Sequence, residues 1–275
     1  MHATLEYSCK ALRRHLGDLT PDHLTTTRAR LYARQRRAEG YAAGATRKPV
    51  ANGTIARKVV TPRAALRWAV NARWIAVAPA VEAPSADKPR DRWLTRDEAA
   101  QLLAACHAPH VRLFVAFGLY TAARTGALLS LTWGRVDLAR GMINLGDAMG
   151  NKKRATVPIP DALRPHLLEA RSGATCNFVV EHGGRRVASV KTGFNAATWR
   201  AGLASVTPHT LRHKAATWTV AGSVPIAEVA RYLEDSEQTT ERVYATHSPD
   251  YLREAARVFT GSLAPKTIRG ECLTL

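Results

Sequence analysis

A proline-rich interruption near residue 85 divides this chain of 275 residues into two parts. Pro79, Pro84 and Pro89 lie close together there, and prolines at this spacing interrupt helices and favour extended backbone. Directly afterwards, Thr95 and Glu98 have the spacing of a capping box at the start of an apolar helix. A linker followed by a new helix start predicts two domains, which is also a usual number for a chain of this length.

The charge of the chain indicates a polyanionic partner. There are 40 Lys and Arg against 22 Asp and Glu, which gives a formal charge of +18 and a pI near 10.5. A ribosomal protein or a basic membrane-surface protein would have a similar charge. However, 46% of the residues are hydrophobic and the charges follow helical patterns instead of forming tails. Both observations favour a folded protein that binds nucleic acid.

The first part of the chain holds much of the positive charge. Residues 1–90 contain 17 Lys and Arg against 6 Asp and Glu. Helical periodicity predicts basic helices over 7–15, 26–40 and 52–74, and hence an all-α domain that clamps DNA. In the third helix the expected DNA contacts are Arg57, Lys58 and Arg63. Trp68 and Trp74 are expected to be ordinary core residues.

The second part is predicted to be mainly helical with a small antiparallel sheet. An apolar helix is expected over 111–120, and strands over 142–145, 155–159 and 178–181. Between the first two strands lies a turn-rich basic hairpin tip that contains Lys152, Lys153 and Arg154. Such a tip can reach into a groove of DNA, so Lys153 and Arg154 are further candidate DNA contacts. The alternation of a strand cannot show which of these three cations would point inward, because they lie in a turn.

A helix start near residue 207 brings a histidine and an arginine together. Thr207 fits the N-cap and Pro208 the first helical position, so His209 and Arg212 share one face at the positive end of the helix. That geometry favours a bound phosphate. Tyr244 follows 32 positions after the arginine. A tyrosine hydroxyl near clustered cations suggests attack on a phosphodiester.

These motifs give the second part of the chain a resemblance to the tyrosine recombinase family, and within it to the phage-type integrases. The similar segments occur in the same order as in the family. They are TAARTGALLSLTW around Arg124, Lys152 ahead of TVPI, the His-x-x-Arg pair of His209 and Arg212, and TTERVY ending at Tyr244. The resemblance implies a helical core-DNA-binding domain over 1–85, a linker over 86–92, an α+β catalytic domain over 93–260 and a tail over 261–275.

The resemblance also implies a reaction and a role for each site residue. Tyr244 would be the nucleophile that forms a 3′-phosphotyrosine link, and Arg124 and Arg212 would contact the scissile phosphate. Lys152 would protonate the departing 5′ oxygen, and His209 would bind the phosphate or assist proton transfer. The implied function is site-specific cutting and rejoining of double-stranded DNA by a homotetramer, with neither metal nor ATP.

Two positions depart from the family pattern. Asp235 lies nine residues before Tyr244, where a histidine or tryptophan is usual, and its charge would repel a nearby phosphate unless it supports an arginine or points away. Ala127 lies three residues after Arg124, where many relatives have an acid that holds the site. These departures keep open a second possibility for the function: the chain would be a catalytically impaired protein derived from a recombinase, with a DNA-binding or regulatory role.

Other classes of protein are disfavoured by missing motifs. The four cysteines lie far apart, and no CxxC pair suggests a metal or disulfide framework. His209 and His213 are four apart, but Thr210 between them does not fit the HExxH metalloprotease motif. No apolar run is long enough to span a membrane, and the N-terminus is too polar for a signal peptide. We therefore expect no cofactor, no metal and no membrane partner, and a cytoplasmic, nucleoid-associated protein of bacterial or phage origin.

Overall fold

A computed structural model describes residues 2–43, 46–85, 94–146, 156–222 and 224–244. The chain forms two compact units, Met1–Arg90 and Asp91–Leu275. The predicted linker over 86–92 and the predicted tail over 261–275 lie outside the described residues. Within the part of the chain that is described, no helix combines the length and apolar character needed to cross a membrane.

The first unit is a small helical bundle with its own core. Helix α1 is His2–Leu16, α2 is Thr26–Glu39 and α3 is Asn52–Asn71, and a short 3-10 turn, Pro21–His23, lies between α1 and α2. Both α1 and α2 pack against α3. The largest side chains buried between them are Tyr32 and Ile55. The predicted helices are therefore confirmed, although α3 ends three residues earlier than expected.

The first unit also contains a β-hairpin between α2 and α3, which the prediction of an all-α domain did not include. Strands β1 (Tyr41–Ala43) and β2 (Thr46–Lys48) pair antiparallel. Gly40 directly follows α2 and has φ 59°, and a Cβ atom there would lie 2.6 Å from the Lys48 carbonyl oxygen. The glycine thus permits a close approach that any side chain would block. Three-residue strands are too short to show in hydrophobic periodicity, so the sequence did not predict them.

The expectation that Trp68 and Trp74 are core residues is wrong. Their exposed fractions are 56% and 74%, and their rings contact each other edge to face with centroids 4.8 Å apart. Trp74 lies beyond the end of α3, after Arg73 with its left-handed φ of 59°. Because α3 ends before Trp74, the helical period does not place Trp74 on the same face as buried Leu66. Trp68 follows Leu66 by two positions and so points to a different side of α3.

The second unit is mainly helical with small antiparallel sheets, which confirms the predicted fold class. Strands β3 (Val136–Asp137), β4 (Met142–Asn144) and β5 (Thr156–Pro158) form one sheet in that order, and β6 (Glu181–His182) pairs with β7 (Arg185–Arg186). Its helices are α4 (Arg96–Ala104), α5 (Pro109–Thr121), α6 (Thr125–Leu129), α7 (Arg164–Ser172), α8 (Lys191–Arg200), α9 (Pro208–Ala221), α10 (Ile226–Leu233) and α11 (Glu237–Tyr244).

The strand predicted over 178–181 is largely wrong. Phe178 forms an isolated bridge with Thr132, and the strand pairing begins only at Glu181. Val179 and Val180 are both buried, so this run fills the core and does not alternate between two faces. The third strand of the main sheet is instead β3, which has two residues and carries no visible pattern.

Helices α5 and α9 form the centre of the second unit. The capping box predicted at α4 is confirmed, with Thr95 Oγ1 accepting from the Glu98 backbone N–H at 3.1 Å. Helix α5 is buried almost all round and packs against α9. Gly118 of α5 faces Leu211 of α9, and a Cβ atom at 118 would lie 2.8 Å from Leu211 Cδ1. This close packing fixes the position of α9, which carries His209 and Arg212.

We expect Gly118→Val to destabilise the second unit by about 1–3 kcal/mol, because the added methyl groups would displace Leu211 from a closely packed core. Urea unfolding measures the change in free energy. Gly173→Val is the control, since a Cβ atom at 173 would meet nothing within 4 Å. Equal stability of the two variants would contradict the close packing of α5 on α9.

Candidate active site

Arg124 lies where the chain leaves the buried helix α5. Ala122, directly after α5, has a left-handed φ of 52°, and Arg124 then caps the start of α6. The side chain of Arg124 is 40% exposed. The turn therefore carries the guanidinium out of the core while its backbone stays anchored at the end of a buried helix.

Arg212 is a buried arginine held by backbone carbonyls. Only 6% of its side chain is exposed. Its Nη1 donates to the Ala122 carbonyl oxygen at 2.7 Å, and its Nη2 donates to the Leu233 carbonyl oxygen. These carbonyls belong to the residues that follow α5 and end α10. The guanidinium thus connects α9 to both neighbouring helix ends.

His209 lies one turn before Arg212, at the N-terminus of α9. Thr210 Oγ1 accepts from the Thr207 backbone N–H at 3.0 Å, which confirms the predicted helix start. Desolvation and the neighbouring Arg212 and Arg124 guanidiniums lower the pKa of His209, against an opposing effect of Asp235. The lowered pKa favours the neutral imidazole, which can accept a proton or a hydrogen bond.

The three side chains meet at one small cavity. It has a volume of about 150 Å³ and is lined by Ala123, Arg124, Thr125, Pro208, His209 and Arg212. The structure therefore brings together the arginine of the first motif with the histidine and arginine of the His-x-x-Arg motif. Two guanidiniums and a helix N-terminus at one cavity favour a bound anion of about the size of a phosphate.

Asp235 contacts both arginines. Its Oδ1 accepts from Arg124 Nη2 at 2.8 Å, and its Oδ2 accepts from Arg212 Nη2 at 2.7 Å. Of the alternatives that the sequence left open, this geometry matches a side chain that supports an arginine and not one that points away. Asp235 itself is placed by its backbone N–H, which donates to the Ala230 carbonyl oxygen at the end of α10.

Glu234 is a site residue that the sequence did not reveal. Its Oε2 accepts from Arg124 Nη1 at 2.7 Å, and its carbonyl oxygen accepts from Arg124 Nη2 at 3.0 Å. It has a left-handed φ of 54°, where glycine is the usual residue after a helix. Ala127 is buried in α6 and offers no polar side-chain atom, so the acceptors for Arg124 come from Glu234 and Asp235.

The remaining predicted catalytic residues lie at or beyond the edge of the described structure. Tyr244 is the last residue of α11, which packs against α9 and α10. Its backbone belongs to this helix, and its side chain is outside the described part. Lys152, Lys153 and Arg154 also lie outside the described residues. The strands that flank them pair with Asn144 opposite Thr156.

In the first unit, two of the three expected DNA contacts of α3 are on the surface. Arg57 and Arg63 are exposed. Lys58 is 5% exposed, and its Nζ lies 4.4 Å from the centre of the Tyr7 ring. Burial lowers the pKa of Lys58, and Arg36 adds to that effect. Helical periodicity did not reveal this burial, because it depends on a contact with α1, and a contact of Lys58 with DNA stays a prediction.

We expect Arg212→Lys to lower the free energy of unfolding by about 2–4 kcal/mol. The guanidinium reaches these acceptors from two separate nitrogens, Nη1 and Nη2, and the single nitrogen of a lysine is not expected to reach all three, so a buried acceptor would lose its partner. Urea unfolding provides the measurement, with the exposed Arg231→Lys of α10 as the control within about 0.5 kcal/mol of the wild type. A similarly small effect of Arg212→Lys would show that these contacts do not hold the helix ends together.

Known proteins resemble this chain in sequence. Residues 92–250 match the model of the phage integrase family. The tyrosine recombinase XerC of Mycobacterium leprae is 30% identical over 274 residues, which cover 88% of this chain and 89% of the relative. The integrase of Salmonella phage P22 is 27% identical over 226 residues, or 76% of this chain.

The coverage of the relatives differs. The match spans 58% of the length of the phage P22 integrase, against most of the XerC protein. Among solved structures, the integrase of transposon Tn1549 in complex with circular intermediate DNA has a TM-score of 0.75 at 17% identity, over 91% of each chain. At this identity the likeness concerns the fold.

Proposed function

Because this chain belongs to the phage integrase family of tyrosine recombinases, we propose that it cuts and rejoins DNA strands at specific sites. The observation that carries this proposal is the cavity of about 150 Å³ at which Arg124, His209 and Arg212 converge. A folded chain with a formal charge of +18 is suited to double-stranded DNA as its substrate. The place of action is then the DNA of a bacterial or phage genome, in the cytoplasm.

The proposed reaction is a reversible transfer of one phosphodiester. The Tyr244 oxygen attacks the scissile phosphorus and loses its proton, while the bond from phosphorus to the 5′ oxygen breaks. The products are a 3′-phosphotyrosine link and a strand with a free 5′ hydroxyl. A 5′ hydroxyl of the same or a partner strand then attacks the phosphorus, the bond to the Tyr244 oxygen breaks, and that oxygen regains its proton as the DNA strand is restored. No ATP is needed, because the phosphotyrosine bond retains the energy of the original bond.

The two arginines supply the positive charge that this transfer requires. A phosphate under attack gains charge on its nonbridging oxygens, and planar guanidiniums match the geometry of those oxygens. Arg212 is nearly excluded from water, which strengthens its interaction with a bound anion. With this charge provided by side chains, the proposed reaction uses no metal ion.

Proton transfer is assigned to His209 and Lys152. The lowered pKa of His209 favours a neutral ring, which suits acceptance of a hydrogen bond or of the phenolic proton. Lys152, on the hairpin between β4 and β5, is proposed to protonate the departing 5′ oxygen. Exchange of strands between two duplexes needs paired cleavage events, so we propose four protomers on two DNA sites.

A nicked suicide duplex tests the chemistry directly. We expect the wild-type protein to form a covalent adduct with such DNA, because a fragment released beside the nick cannot return to attack the phosphotyrosine. Tyr244→Phe is expected to abolish the adduct and to keep DNA binding. Denaturing gel electrophoresis of a labelled strand measures the adduct.

Tyr232→Phe is the matched control for this experiment. The hydroxyl of Tyr232 donates to the Tyr120 carbonyl oxygen at 3.0 Å and neither residue lines the arginine cavity, so its loss should leave the adduct in place. An adduct that survives in Tyr244→Phe would contradict the assigned nucleophile. DNA binding without any wild-type adduct would favour the second function, a recombinase-derived DNA-binding or regulatory protein.

The salt dependence of DNA binding tests the role of the first unit. Arg57→Gln and Arg63→Gln are each expected to reduce the slope of log K against log salt by about 1, since each removes one phosphate contact. Lys58→Met should leave the slope unchanged, because the ammonium is buried against Tyr7. A slope that falls as much in Lys58→Met as in Arg57→Gln would show that Lys58 reaches DNA.

A further inference from the structure

One carboxylate joins the two arginines of the cavity. Each oxygen of Asp235 accepts from a different guanidinium, at 2.8 Å from Arg124 and 2.7 Å from Arg212. Resting on the function proposed above, we propose that Asp235 is a positioning residue, which holds Arg124 and Arg212 in the orientation in which they bind the scissile phosphate.

The location of the carboxylates relative to the cavity supports this role. The described residues that line the cavity include both arginines and His209, but neither Asp235 nor Glu234 is among them. The acids therefore contact the guanidiniums from outside the cavity. A carboxylate that occupied the phosphate position would itself line that space. The space next to the arginines is thus left for the substrate.

The hydrogen bonds of the arginines leave donors for a phosphate. Each guanidinium has five N–H donors. Arg212 directs three of them to Ala122, Leu233 and Asp235. Arg124 directs three to Glu234 and Asp235. Three donors of each arginine thus have acceptors, and no acceptor in the described part of the chain contacts the other two, which can bind the nonbridging oxygens.

The shared carboxylate matters most for Arg124. Arg212 is also anchored by two backbone carbonyls in a buried site. Arg124 is 40% exposed, and its described acceptors all belong to Glu234 and Asp235. Because a long, partly exposed side chain otherwise samples several rotamers, these contacts reduce the entropy lost when a phosphate binds. Asp235 also links Arg124 to Arg212, which its carbonyl contacts hold in place, so the two guanidiniums stay at a constant distance from each other.

The test uses Asp235→Asn with the suicide duplex at saturating DNA. The amide keeps one acceptor oxygen and turns an NH₂ group toward the other guanidinium, so the two arginines can no longer share one residue. We expect the rate of adduct formation to fall about tenfold or more, because misplaced phosphate ligands slow the chemical step. The Kd for DNA should change less than about threefold, since most phosphate contacts lie elsewhere.

Asp235→Glu is the second variant, and Glu237→Gln on the exposed first turn of α11 is the matched control. Glutamate retains two acceptor oxygens, so we expect it to recover part of the rate that asparagine loses. If Asp235 had a purely structural role, both Asp235→Asn and Asp235→Glu would lower stability. The rate of adduct formation would then not change much more than the Kd for DNA. Glu237→Gln should leave both quantities unchanged.

The outcomes separate this inference from the function on which it rests. If the wild type forms no adduct, the proposed function fails. If the wild type forms the adduct and Asp235→Asn forms it as fast or faster, the positioning role fails, and a faster rate would identify Asp235 as an inhibitory anion. A slower rate that Asp235→Glu partly restores supports the positioning role.

Discussion

The buried guanidinium of Arg212 connects the parts of the second unit that form the candidate site. It reaches the carbonyl oxygens of Ala122 after α5 and Leu233 at the end of α10, and it shares Asp235 with Arg124. Its helix is held in place by the close approach of Leu211 to Gly118. Because α5 forms much of the hydrophobic core, the positions of the core and of the charged site depend on each other. Burying this arginine is tolerable since carbonyl and carboxylate oxygens accept from three of its five donors and Asp235 balances its charge.

The charge balance of the site explains why two acids can lie next to a phosphate site. Arg124 and Arg212 face Glu234 and Asp235, so the four formal charges cancel. A neutral cluster attracts DNA only weakly over long distances, and the affinity then comes from the remainder of a strongly basic chain. What the acids contribute is orientation of the arginines. Glu234 has an unfavourable left-handed backbone, and its contacts with Arg124 offset part of that cost.

Much of the site could be predicted from the sequence because its signals are local. The start of α9 is specified by Thr207, Pro208 and Thr210, and the family motifs identified Arg124, His209 and Arg212, which the structure brings to one cavity. The sequence was less informative where tertiary context overrides local pattern. The periodicity around Trp74 ignored the left-handed turn at Arg73, and the burial of Lys58 depends on Tyr7 from another helix. The role of Glu234 depends on a backbone conformation that no spacing reveals.

A structure of Tyr244→Phe bound to its DNA site would show whether the arginine cavity binds the scissile phosphate. We expect a phosphate at the cavity, with nonbridging oxygens about 2.7–3.0 Å from the guanidinium nitrogens of Arg124 and Arg212. We also expect that Asp235 still accepts from both arginines and that the residue at 244 faces the phosphorus opposite the 5′ oxygen. A phosphate bound elsewhere, or an Asp235 carboxylate displaced from the arginines by the DNA, would contradict the roles assigned to these residues.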